Sequence, residues 1–252
     1  MRFQGQVAVI AGAGGGIARA AASRLSSEGA TLILVDRDPE GLERACAEIA
    51  PAAGRMTYQV DCMSDEAVAA CVADVLARQG RIDVLINAIG GSTLRPHQDG
   101  NADALSLDDW RALVDFNLVP TFLFCRHVAA SMKARGRGKI VNLASISARG
   151  EGMSNVAYSA AKAGVVALTR RLSRELAPHG VYCNAVSPGL TLTDRIARHL
   201  DSLAPEKARK ALEAVPLGRY AKPQEQASVI AFLASSDSDY VTGVTIDVTG
   251  GQ

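Results

Sequence analysis

Tyr158 and Lys162 stand four residues apart in the segment NVAYSAAKAGVVAL, residues 155 to 168. On a helix that spacing puts both side chains on one face. An ammonium beside a phenol stabilises the phenolate, drawing a group that ordinarily titrates near ~10 toward the range of a general acid/base. The same spacing also arises from amphipathic patterning of a surface helix, so the pair needs company. Ser145 supplies it 13 residues earlier, at the end of GKIVNLAS (138 to 145), where a hydroxyl faces the ligand crevice of a parallel sheet or caps a turn.

A second constellation lies near the start of the chain. AGAGGGIA (11 to 18) follows an apolar run and opens a helical pattern. It is not a GxGxxG sequence, because Ile17 occupies the third glycine position; it reads as Gly12, three residues, Gly16, with Gly14 and Gly15 inside the turn. A turn without Cβ atoms lets backbone N–H groups and a helix N-terminus approach a pyrophosphate, although such a turn can also serve packing alone. Asp36 tilts the balance toward a dinucleotide: it lies 24 residues after Gly12, close to the ~20 expected of an acid that binds an adenosine ribose. A carboxylate there repels a 2′-phosphate and favours NAD over NADP, and the adjacent Arg37 softens that preference.

The elements that would carry these residues alternate regularly. Candidate strands cover 6–11, 31–36, 56–61, 81–88, 138–145, 181–187 and 243–248. Helical patterns cover about 16–28, 39–50, 64–79, 106–135, 155–177, 194–214 and 223–235. Ser64, Ser106 and Asp38 before Pro39 are helix-start signals. Such βα repetition predicts a parallel α/β sheet, and no linker or composition shift divides it, so residues 1–252 read as one domain. Two stretches exceed ordinary connections: 90–106, and 188–219, whose amphipathic part at about 190–216 is either a substrate lid or a solvated insertion.

Composition excludes several classes. The 252 residues carry 27 Lys plus Arg against 26 Asp plus Glu, a net charge of +1, so no basic footprint points to nucleic acid or an anionic membrane. No apolar run approaches the ~18 residues of a membrane span, and the first one meets glycines instead of a cleavage site. Cys46, Cys62, Cys71, Cys125 and Cys183 are odd in number and form no CxxC, which suggests neither a disulfide framework nor a zinc site and is consistent with a reducing cytoplasm. His97 has no second His or Cys at ligand spacing, and no metal is expected.

Taken in order, Gly12-x-x-x-Gly16-Ile17-Ala18, Asp61, Asn87-Ala88-Ile89-Gly90, Asn117, Ser145, Tyr158-x-x-x-Lys162, Asn184 and Pro188-Gly189 followed by Thr193 resemble the single-domain short-chain dehydrogenase/reductase family over essentially the whole chain. The resemblance implies a Rossmann-type doubly wound sheet of seven parallel strands in the order 3-2-1-4-5-6-7. It implies that Tyr158 is the general acid/base, that Lys162 lowers its pKa and holds the nicotinamide ribose, that Ser145 orients the substrate oxygen and that Asn117 anchors a relay water. It assigns Gly12, Gly14, Gly15, Gly16 and Ile17 to the pyrophosphate, Asp36 with Arg37 to the adenosine ribose, and Asp61 with Cys62 to the adenine. Asn87, Ala88 and Gly90 would make central contacts, and Pro188, Gly189, Thr191 and Thr193 would hold the carboxamide.

The implied partners are a small alcohol or carbonyl substrate and copies of the chain, as a homotetramer or else a homodimer. Two departures stand out: Ala11 and Ala18 replace the usual Thr and Gly, tightening the turn, and Ala88 replaces a second Asn, removing an amide that braces the central sheet. The leading expectation is hydride transfer between NAD(H) and a secondary alcohol or ketone. The alternatives are an NADPH-dependent 3-oxoacyl reductase and a catalytically inactive nucleotide-binding regulator. Arg95 or Arg149 is positioned in sequence to meet a substrate carboxylate, in segments that also hold Glu151, Met153 and Asn155.

Overall fold

The computed structural model describes residues 1–50, 54–92, 102–152 and 154–252. Arg95, His97 and Met153, together with most of the 90–106 stretch, lie outside the described residues.

Seven strands form one parallel sheet: β1 (Val7–Ala11), β2 (Thr31–Asp36), β3 (Arg55–Gln59), β4 (Val84–Asn87), β5 (Gly138–Leu143), β6 (Val181–Pro188) and β7 (Thr245–Val248). Their order is 3-2-1-4-5-6-7, as the family resemblance implies. The all-apolar β1 is buried along its whole length, which its composition requires of a central parallel strand covered on both faces. The alternating exposure of RMTYQ marks β3 as an edge, and the strand stops at Gln59, short of the predicted residue 61.

Helices α1 (Gly16–Ser27), α2 (Pro39–Ala47), α3 (Asp65–Gln79), α4 (Leu107–Arg135), α5 (Val156–Leu176), α6 (Asp194–Ser202), α7 (Pro205–Glu213) and α8 (Pro223–Ala234) complete the chain. Buried side chains of α1, α2 and α8 pack on one face of the sheet, and those of α3 and α4 on the other, where α5 packs against α4. The start signals act as read: Ser64, Ser106 and Asp38 accept the N–H groups of Ala67, Asp109 and Glu40. The single helix expected over 194–214 is instead two, because the residue before Pro205 is driven out of helical geometry and Ala204 sits at ψ 140°.

β1 pairs with β2 on one side and β4 on the other, so the chain reverses its winding there. A crevice opens outside the C-terminal ends of the strands at this switch point. The brace across it survives the missing second asparagine. Asn87 Nδ2 donates to Asn142 Oδ1 at 2.9 Å, and Asn142 Nδ2 donates to Thr169 Oγ1 at 2.9 Å, linking β4, β5 and α5. Among the described residues no helix is long and apolar enough to cross a membrane.

Candidate active site

Ser145 leaves β5 in extended geometry, 8% exposed, and its hydroxyl accepts the N–H of Ser147 in the 3₁₀ turn that follows. Asn155 caps α5 by accepting the Tyr158 N–H at 2.8 Å, and its Nδ2 donates to the Ser92 carbonyl at 2.9 Å. That double engagement ties the first turn of α5, with Tyr158 on it, to the segment after β4. One turn on, Lys162 is 3% exposed, donates from Nζ to the Leu143 carbonyl at 2.8 Å and lies 5.8 Å from the Tyr158 ring centroid.

Asn117, fully buried on α4, clasps Gly91: its Oδ1 accepts the Gly91 N–H at 2.8 Å, and its Nδ2 donates to the carbonyls of Gly91 and Leu113 at 3.1 and 2.8 Å. Gly90 has φ +143°, and a Cβ there would stand 2.6 Å from Asn117 Oδ1 and 3.0 Å from Lys162 Nζ. Only glycine leaves room for the two side chains to converge. The four residues of the expected tetrad therefore meet around one end of a cleft of about 680 Å³, which Ser145, Tyr158 and Lys162 line.

Burial pushes the Tyr158 phenol above its ordinary value, against a hydrogen bond from Ser145 and the charge of Arg195. Lys162 is itself lowered to about 7, first by burial and then by Arg195.

The other end of the cleft is built to receive an anion. α1 follows Gly15, which offers no side-chain cap, and has no acid in its first turn, whereas α2, α3, α4 and α6 are all capped and carry an acid there. The first N–H groups of α1, with Gly14, Gly15, Gly16 and Ile17, line the cleft. Gly12, at φ +79°, packs so closely on Ala88 and Ile89 that a Cβ would stand 2.9 Å from their backbone. Asp36 serves the same turn, accepting the Gly14 N–H at 2.9 Å and the Asp38 N–H at 3.0 Å.

Beside it, a smaller cavity of about 140 Å³ is lined by Asp36, Arg37, Asp61, Cys62, Phe116 and Pro120. The Arg37 guanidinium lies 5.4 Å from the Phe116 ring centroid, and burial pushes the Cys62 thiol up to about 12, making it an inert apolar wall. The two spaces share Gly15, Ala88, Ile89 and Gly90 in their linings, so they run together from Asp36 to Tyr158.

Pro188 ends β6, and Gly189 follows it along the cleft. Thr191 is held by fully buried Gln226, whose Nε2 donates to Thr191 Oγ1 at 3.1 Å and to the Val248 carbonyl at 2.9 Å. Thr193 caps α6 and packs on Gly16. Asn184 does not join the site: it links to Val241 and Val244 beside β7. Arg149 is not available to a substrate either, since it pairs with Asp247 and Glu151 and donates to the Gln252 carbonyl. Sequence reasoning missed Gln226, a polar residue hidden in an apolar helix, and Arg195, which the first turn of α6 brings to the cleft.

A family model described as enoyl-(acyl carrier protein) reductase matches residues 12–252. The chain is 37% identical to meso-2,3-butanediol dehydrogenase of Serratia marcescens over 252 residues, covering 100% of this chain and 96% of that protein. It is 36% identical to the 3-oxoacyl-(acyl-carrier-protein) reductase FabG of Thermotoga maritima, covering 100% and 99%. Among solved structures, NAD+-bound xylitol dehydrogenase superposes with a TM-score of 0.93 at 31% identity, covering 100% of both chains.

Proposed function

The chain belongs to the short-chain dehydrogenase/reductase family, an NAD(P)(H)-dependent group of oxidoreductases acting on CH–OH groups, and from that membership we propose that it interconverts a secondary alcohol and a ketone with NAD(H). The observation that carries the proposal is the meeting of Ser145, Tyr158 and Lys162 in the same cleft as the uncapped start of α1.

Gly12, Gly14, Gly15, Gly16 and Ile17 would hold the pyrophosphate, and Asp36 with Arg37 the adenosine ribose. Asp61 and Cys62 would flank the adenine, while Asn87, Ala88 and Gly90 shape the centre of the site. Pro188, Gly189, Thr191 and Thr193 would hold the carboxamide, and Lys162 the second ribose. When bound, the dihydronicotinamide supplies a hydride to a carbonyl carbon, and its oxidised form accepts one in the reverse direction. Tyr158 gives its phenolic proton to the carbonyl oxygen during reduction and takes one from the alcohol during oxidation. Ser145 donates a hydrogen bond to the same oxygen and steadies its developing charge. Lys162 and the Gly91 clasp of Asn117 keep this end of the cleft in register. α6 and α7, between about 190 and 216, form the lid over it. A homotetramer joined through α4 and α5 is the proposed assembly.

NAD is preferred because the Asp36 carboxylate stands where a 2′-phosphate would have to lie. A second reading, an NADPH-dependent 3-oxoacyl reductase, is supported by Arg37 beside that carboxylate and by the likeness to FabG. Initial rates with a panel of aliphatic ketones, run with NADH and then with NADPH at equal concentration and fixed salt, test the proposal. NADH is predicted to be the better donor by about tenfold or more in kcat/KM, the order of one close charge repulsion. The reverse preference favours the second reading, and consumption of neither overturns hydride transfer.

A further inference from the structure

Several arginines line the reacting cleft, and nearly all are neutralised or engaged. Arg19 pairs with Glu48 and Asp194, Arg44 with Asp38 and Glu40, and Arg198 donates to the Asp194 carbonyl. Those pairings also occupy Glu40 and Asp194, the two acids among the lining residues. Arg195 is different. It sits in the first turn of α6 and lines the cleft, and among the described residues its guanidinium has neither a hydrogen bond nor an ion pair.

Its position is close to the chemistry. A Cβ added at Gly91 would run into Arg195 Nη1, so the side chain crosses from α6 to the segment that Asn117 clasps. It therefore stands at the Tyr158 end of the cleft. Its charge is felt at both Tyr158 and Lys162. A cation without a counter-charge among the described residues, held at the Tyr158 end of the cleft, recognises an anionic group carried by the molecule that reacts.

We infer that Arg195 is a specificity residue that selects substrates bearing a carboxylate near the reacting carbonyl, that is, short oxo acids and their hydroxy acids. This rests on the hydride-transfer reading above and adds the substrate class to it. It also moves the role from Arg149, which is consumed by Asp247 and Glu151, to an arginine on the proposed lid. The other anion that enters the cleft is the pyrophosphate of the dinucleotide, which shares the same chemistry. Arg195 reaches Gly91 and the tetrad end, while the pyrophosphate belongs at the uncapped start of α1.

The test compares acetoacetate, levulinate and 5-oxohexanoate with their methyl esters, using NADH and the wild-type, Arg195→Gln and Arg195→Lys enzymes. Thermal unfolding of each variant confirms that it is folded, and NADH affinity is measured separately by fluorescence. The wild type is expected to favour at least one acid over its ester. In Arg195→Gln that acid-to-ester ratio of kcat/KM should fall about tenfold or more, chiefly through a raised KM for the acid, with partial recovery in Arg195→Lys. Equal losses on acid and ester overturn the inference. So does a constant ratio with NADH binding weakened about tenfold, which assigns the arginine to the dinucleotide. Esters reduced without any preference for acids in the wild type overturn the inference and leave hydride transfer standing; no reduction of any compound overturns both.

Discussion

Lys162 shows how burial and charge compete at a single atom. Its side chain is almost inaccessible and its Nζ has the Leu143 carbonyl as a hydrogen-bond acceptor, yet loss of hydration is the larger influence and lowers it from 10.5 to about 7. Between those two values the unfolded chain holds a proton that the folded chain has released, so stability rises with pH across that window and is level below it. Relative to Lys162→Met, the wild type should gain about 1.4 kcal/mol of unfolding free energy per pH unit from roughly pH 7 to 10.5. Urea unfolding of both proteins at several pH values measures it, and a difference that stays flat would contradict the burial argument. The Tyr158 and Lys162 pairing itself was readable from sequence, because four-residue spacing on a helix is a local property. The direction of their titrations was not readable, since it depends on α4, β5 and Arg195, brought together only by the fold.

At the level of elements, caps and strand order were legible because they follow from neighbouring residues and from the family pattern of motifs. The break at Ala204 was signalled by Pro205 but hidden by an amphipathic pattern that runs on across it. Arg195 is placed at the other end of α6, in the first turn that Thr193 caps. α4 offers a different lesson. Its buried side carries Leu123, Phe124 and Val128 against the sheet, while Leu107, Trp110 and Phe122 remain exposed, Phe122 at 45%. Large apolar side chains on the outer face of a long helix are better covered by another protein surface than by water. If α4 pairs with a second copy, Phe122→Glu should place a charge in that contact and shift the molecular mass toward the single chain, with the fold retained by circular dichroism. An unchanged mass for the variant, or a wild type that is already monomeric, contradicts the proposed assembly.

Across the whole molecule, one parallel sheet brings the start of α1 after β1 and the Tyr158–Lys162 pair after β5 to one cleft, the two halves of the proposed reaction. Motif order along the chain made this arrangement readable, since each motif ends a strand or opens the helix after it. The identity of the substrate was far less readable. On the proposed reading it depends on α6, whose residues line the cleft only after the chain has folded back over it, and on which arginines are left without an acid among the described residues.

The claim at the centre is that Tyr158 moves the proton in a site that binds NADH without it. Single-turnover oxidation of bound NADH by a reducible ketone, followed at 340 nm together with the NADH dissociation constant, tests it in wild type and Tyr158→Phe. Removing the hydroxyl alone should lower the rate by roughly 10² to 10⁴ and leave the dissociation constant within about threefold. A Tyr158→Phe enzyme that reduces the ketone at the wild-type rate would contradict the account.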